Sequence, residues 1–186
     1  MLGIKIPYAL YLLAAMWLLQ FIQSFIWPGL DHYGILPRTL QGGIGIAFAP
    51  WIHHGWWHLI SNSLPFIILG TLIELKSKTL FWEATLIISV ISGVITWTFG
   101  TSAYHAGASG LNLGYWSFIL AEAYYSRSIK SLVTALLVLV FYAGFIFVVF
   151  DFRTHISWVG HMGGLVAGII VAKLYVRSEN KKNGIP

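Results

Sequence analysis

The chain has 186 residues, 58% of them apolar, 16% aromatic and only 9% charged, whereas a soluble domain carries about 25% charged residues. So few charges cannot coat the aqueous surface of a 20.8 kDa protein, which excludes a soluble globular domain and leaves an integral membrane protein. The net charge of +5 is scattered between apolar runs rather than gathered among stacking aromatics, which excludes a nucleic-acid binder, and the absence of cysteine removes disulfides, thiolate metal sites and thiol nucleophiles.

The apolar runs do not alternate with polar residues as barrel strands would, so the expected spans are helices. The first covers 8–27 and carries no charge. A signal peptide is the competing reading, but the run exceeds a signal core of about 7–15 residues and lacks a clear cleavage site. A stretch from Pro28 to Gly55 follows, holding Asp31, Arg38, the Gly42-Gly43-Ile44-Gly45 cluster and Pro50. It is too polar and irregular to cross and is expected partly in the interface, either as an irregular loop or as an ordered re-entrant segment. The second and third spans cover 56–73 and 79–99. No Asp, Glu, Lys or Arg occurs from Ala84 to Ala121, so two crossings fit there, with the turn at 100–110. The fourth span then covers 109–125, the fifth 131–150 and the sixth 156–176, leaving a short basic tail over 177–186. The fold expected is an all-α, single-domain bundle of six transmembrane helices.

Lysine and arginine set the orientation. On one side of that layout lie Lys5, Lys76, Lys78, Arg127, Lys130, Lys173, Arg177, Lys181 and Lys182. Only Arg38 and Arg153 lie on the other. Both termini should therefore be cytoplasmic, with the long first loop outside.

That orientation brings polar residues to one depth. The second, fourth and sixth spans all enter from the outer side, so His58, Asn62, Ser109 and His161 should share a level just beneath the outer surface. Polar groups inside a membrane are costly and default to functional candidates. Gly164 and Gly168 follow His161 on its own helix face, while Gly110 and Gly114 flank the face below Ser109. Small residues on two membrane helices allow close backbone approach, so Ser109 and His161 can come within hydrogen-bond reach. A serine hydroxyl next to a neutral imidazole supports acyl transfer. Unpaired N–H groups at a helix start supply an oxyanion site, and His58 and Asn62 add side-chain donors.

These residues also carry a family likeness. Gly107-Ala108-Ser109-Gly110, His58-x-x-x-Asn62, and His161 with its following glycines resemble the motifs of the rhomboid intramembrane serine proteases, in the family's order, over roughly residues 50 to 175. The resemblance implies Ser109 as nucleophile and His161 as general base, a dyad without an orienting carboxylate. Asp151 has no evident route to His161. It implies His58, Asn62 and the Ser109 N–H as the oxyanion hole. It also implies an endopeptidase that cuts transmembrane segments of other proteins near the outer face, with no metal or cofactor. The compact layout points to a multi-pass protein of a bacterial inner membrane, with lipid and substrate helices as its partners. Two features depart from the family pattern. Leu113 stands where many members carry an aromatic residue, and the first loop lacks a Trp-Arg pair, Arg38 being its charged candidate.

Other readings compete at particular residues. His54 and His58 share a helix face and invite a metal or haem reading, yet no Glu or Asp lies between them, as a zinc metalloprotease would require. His53 and His54 are expected to be structural, at the junction of loop and helix. His32, His105 and His155 have nothing specific to recommend them. Glu74 is expected to be either an interface residue or a partner for backbone donors in a neighbouring loop. Glu83 and Glu122 lie toward the inner surface, away from the Ser–His level, which disfavours a proton-coupled transporter. Trp27, Trp51, Trp56, Trp57, Trp82 and Trp158 read as interfacial anchors. A non-catalytic binder of transmembrane segments on the same scaffold is the alternative function.

Overall fold

A computed structural model of the chain describes residues 6–149 and 157–184, with the side chain of Val149 excepted. Lys5, Phe150, Asp151, Arg153, His155 and Ile156 lie outside the described residues. The described part is helical throughout, and its one isolated β-bridge pairs Ile35 with His105.

Eight helices follow in order: α1 (Tyr8–Phe25), α2 (Leu40–Phe48), α3 (Trp56–Glu74), α4 (Lys78–Phe99), α5 (Ser109–Ser126), α6 (Ile129–Phe141), α7 (Phe145–Val149) and α8 (Trp158–Lys182). Short polar side chains start several of them. Thr39 accepts from the Gly42 N–H at α2, Ser77 from Leu80 at α4, and Ser128 from Ser131 at α6. Each satisfies one of the N–H groups that a helix leaves unpaired at its start.

Four helices, α1, α3, α4 and α8, are long and apolar enough to cross a membrane. Helix α5 is the centre of the bundle. It carries Ser109, Asn112, Ser117 and Glu122, and its residues from Leu111 through Ile119 are all buried. A helix enclosed by protein does not need an apolar surface. The expected fifth span over 131–150 is not one continuous helix: α6 ends at Phe141, and a turn at Tyr142–Gly144 leads into α7. The 13 residues of α6 rise about 20 Å, short of the roughly 30 Å hydrocarbon core. Hydropathy cannot register this break, because the residues around Gly144 are as apolar as those of a helix.

The stretch after α1 is ordered, the second of the two forms expected for it, although its place relative to a membrane is not defined by the fold. It contains a 3-10 turn at Pro28–Tyr33, helix α2, and a second 3-10 turn at Ala49–Trp51. Arg38 fastens it to the end of α4: its N–H donates to the Trp97 carbonyl, and its guanidinium donates to the carbonyls of Thr98 and Gly100. Trp97 Nε1 donates back to the Thr39 carbonyl at 2.8 Å.

The tightest packing joins α5 to α8. A Cβ on Gly164 would overlap the Gly110 carbonyl oxygen, and one on Gly168 would overlap that of Gly114. Ser92 of α4 donates to the Gly160 carbonyl at 2.8 Å, and Ser117 donates to that of Leu165 at 2.9 Å. Helix α8 is thus clamped against α4 and α5 by backbone contact, which fixes the height of His161 relative to Ser109. At the other end of the bundle, Glu74 accepts from the Tyr8 N–H at 2.6 Å, a backbone donor as expected but at the start of α1 rather than in a loop. Glu122 pairs with Lys76 at 2.9 Å and accepts from Ser131.

Candidate active site

Ser109 is the first residue of α5, and the preceding cap residue, Ala108, makes no side-chain cap. The N–H groups of the first turn therefore face outward without a capping side chain, at the positive end of the helix. His161 lies one turn into α8, 4% exposed, with Nε2 2.9 Å from Ser109 Oγ and Nδ1 3.2 Å from the Val148 carbonyl oxygen. A carbonyl can only accept, so a ring held there donates from Nδ1, and in its neutral form it presents the Nε2 lone pair to the serine hydroxyl. That contact with α7 matches the tautomer a general base would need.

His58 and Asn62 stand on the first turns of α3 beside this pair. Asn62 Nδ2 donates to the His58 carbonyl at 2.8 Å. The His58 ring lies on Gly107, whose φ of +119° and whose missing side chain are both required: a Cβ there would meet His58 Nε2 at 2.7 Å. Ser109, His161, His58 and Asn62 all line one cleft of about 510 Å³, together with Leu113, Phe145 and Val148. Leu113 is buried on the cleft wall.

The remaining histidines divide by position. His53 is buried and its Nε2 accepts from the Ala108 N–H at 3.2 Å, so it braces the start of α5. Burial, reinforced by His58 and His54 nearby, pushes its pKa down to about 3. His54 Nε2 faces the Tyr104 carbonyl at 3.2 Å. Among the described residues no three His, Asp or Glu side chains converge as a metal would require.

Two residues escaped the sequence reading. His105 was expected to be an unremarkable loop residue, yet it pairs with Ile35 in the β-bridge and bridges two segments near the cleft. Its Nε2 donates to the Thr101 carbonyl, and its Nδ1 accepts from Ser157 Oγ at 2.7 Å. Burial lowers its pKa below the usual histidine value. Ser157 in turn accepts the His161 N–H on its carbonyl at 3.1 Å. The second is Asn112, buried one turn after Ser109 and hydrogen-bonded to Asn62. Its position, a carboxamide three residues after the serine and between two leucines, was the available signal.

Comparison with known proteins agrees with this geometry. A family model described as the rhomboid domain matches residues 41–178, which include all four of these motif residues. An uncharacterized protein of Mycobacterium tuberculosis is 33% identical over 181 residues, covering 92% of this chain and 75% of its own length. One from Mycobacterium leprae is 30% identical over 184 residues, covering 93% of this chain and 72% of its own length. With a match over most of its length and four helices fit to cross a bilayer, this multi-pass membrane protein belongs to the rhomboid family of intramembrane proteases.

Proposed function

We propose that the chain is an active serine endopeptidase that cuts transmembrane segments of other membrane proteins. The observation that carries this reading is the 2.9 Å hydrogen bond between Ser109 Oγ and His161 Nε2, with Nδ1 held on the Val148 carbonyl. In the proposed reaction His161 Nε2 takes the hydroxyl proton as Ser109 Oγ bonds to the scissile carbonyl carbon. The oxyanion that develops meets the uncapped N–H of Ser109, with His58 and Asn62 as side-chain donors. The imidazolium then gives its proton to the departing amine. A water deprotonated by His161 attacks the acyl ester and releases Ser109. No step needs a metal or a cofactor.

The uneven placement of lysine and arginine supports six crossings, cytoplasmic termini and a cleft toward the outer face. The compact layout supports a bacterial inner membrane. A substrate helix must unwind to expose its carbonyl, because its backbone is already hydrogen-bonded. Substrate spans with Gly or Pro near the outer face should therefore be cut faster than uniformly Leu-rich ones.

The test is cleavage of a model transmembrane substrate by the purified protein, beside Ser109→Ala and His161→Ala, with EDTA as a control. Loss of cleavage in both variants, with EDTA inert, supports the dyad. Cleavage surviving Ser109→Ala refutes it. A folded, unsubstituted protein that binds such segments without cutting them supports the binding-only alternative.

A further inference from the structure

Asn112 sits on α5 one turn after Ser109 and is 1% exposed, between Leu111 and Leu113. Its Nδ2 lies 3.0 Å from Asn62 Oδ1 and 3.1 Å from the Asn62 carbonyl oxygen. Both of these partners are acceptors, so Asn112 must turn its NH2 toward Asn62. The orientation of Asn62 follows from its other neighbour. The His58 carbonyl at 2.8 Å can only accept, so it holds Asn62 Nδ2, and Asn62 Oδ1 must face Asn112. The two carboxamides are thus locked in series, from a backbone carbonyl of α3 through Asn62 to α5.

We propose that Asn112 is a positioning residue: it holds the Asn62 carboxamide so that its second Nδ2 hydrogen stays aimed at the oxyanion site. This rests on the serine-protease reading above. Asn62 Nδ2 has two hydrogens, and the His58 carbonyl takes one. Without a donor on Oδ1, the amide can rotate about its last bond, and the other hydrogen leaves the site. Both hydrogen bonds that the Asn112 side chain makes among the described residues go to Asn62, and none goes to its own helix. A polar side chain buried between Leu111 and Leu113 is thus committed to the residue that shares the cleft with Ser109 and His161.

The test uses the full-length protein in detergent or in vesicles, with two readouts: kcat and KM for a model transmembrane substrate, and the rate of Ser109 labelling by a fluorophosphonate, whose phosphoryl oxygen mimics the oxyanion. Asn112→Leu should lower kcat and the labelling rate about 10- to 100-fold with KM within about twofold, because only transition-state donors are disturbed. Asn112→Asp, nearly the same shape but with an oxygen in place of the NH2, should be at least as impaired. In an Asn62→Ala background, Asn112→Leu should have no further effect. Unchanged kcat and labelling in folded Asn112→Leu overturns the inference and leaves the protease reading standing. So does an equal loss with and without the Asn62 side chain. An unsubstituted protein that neither cleaves nor labels at Ser109 overturns both.

Discussion

The contact between α5 and α8 makes the geometry of the Ser109–His161 pair sensitive to a single methyl group remote from it. Gly164 lies one turn below His161 on the same face, and a Cβ there would fall on the Gly110 carbonyl oxygen, inside the 3.0 Å that Cβ atoms keep from non-bonded neighbours. That oxygen belongs to the backbone of the first turn of α5 and has no rotamer by which to escape. Gly164→Ala must therefore push the helices apart by about 1 Å, since interiors this close-packed have no slack. The 2.9 Å Ser109–His161 hydrogen bond would lengthen toward 4 Å, beyond the range in which a proton is shared. A misplacement of about 1 Å costs about 100-fold in rate, and the overpacking should cost about 1–3 kcal/mol in stability. Cleavage rate and thermal unfolding should be measured on the same detergent preparation, well below the transition. Gly43→Ala is the control, because the nearest atom to its added methyl is Trp97 Nε1 at 4.0 Å, and both quantities should hold there. A Gly164→Ala protein that cleaves and melts like the parent would refute the reasoning.

Two further predictions concern stability. Lys76 and Glu122 form a mostly buried ion pair, so Lys76→Met, which leaves Glu122 with Ser131 but no cation, should cost about 3–5 kcal/mol in thermal unfolding. Lys76→Met combined with Glu122→Leu should recover most of that loss, and a double variant no better than the single one would contradict this account. His53 is held neutral, its pKa lowered from 6.5 to about 3, while the unfolded chain protonates near 6.5. The unfolded state therefore binds more protons between these values. Stability should be constant above pH 6.5 and fall as pH drops toward 3, by at most about 1.4 kcal/mol per pH unit from this group. His53→Gln retains an acceptor for the Ala108 N–H without titrating, and melting curves from pH 7 to pH 4 should show a shallower slope for it.

Much of the architecture was legible because a bilayer leaves the backbone few choices. A segment inside lipid must satisfy its own hydrogen bonds, so an apolar run of sufficient length reads directly as a helix. Helices α1, α3, α4, α5 and α8 begin within two residues of where hydropathy and polar breaks indicated. The approach of Ser109 to His161 was legible for a similar reason. Residues three and four apart share a helix face, so the spacing of Gly164 and Gly168 after His161, matched by Gly110 and Gly114, prescribes where two backbones can meet.

What local pattern could not decide was settled by contacts between distant segments. Helix α2 forms within a glycine-rich loop of poor helix propensity because Gly42 and Gly45 lie against the backbone of Leu36 and Gly34. The break after Phe141 falls in an apolar run that propensity treats as continuous. The His161 ring meets a carbonyl 13 residues upstream on α7, and the Asn112 amide is turned by the Asn62 carbonyl, 50 residues away. Residue types and their spacing determined which side chains would gather at one depth. The direction in which each proton points depended on the partner opposite, because an amide or an imidazole can be turned either way until a neighbour of fixed polarity is packed against it.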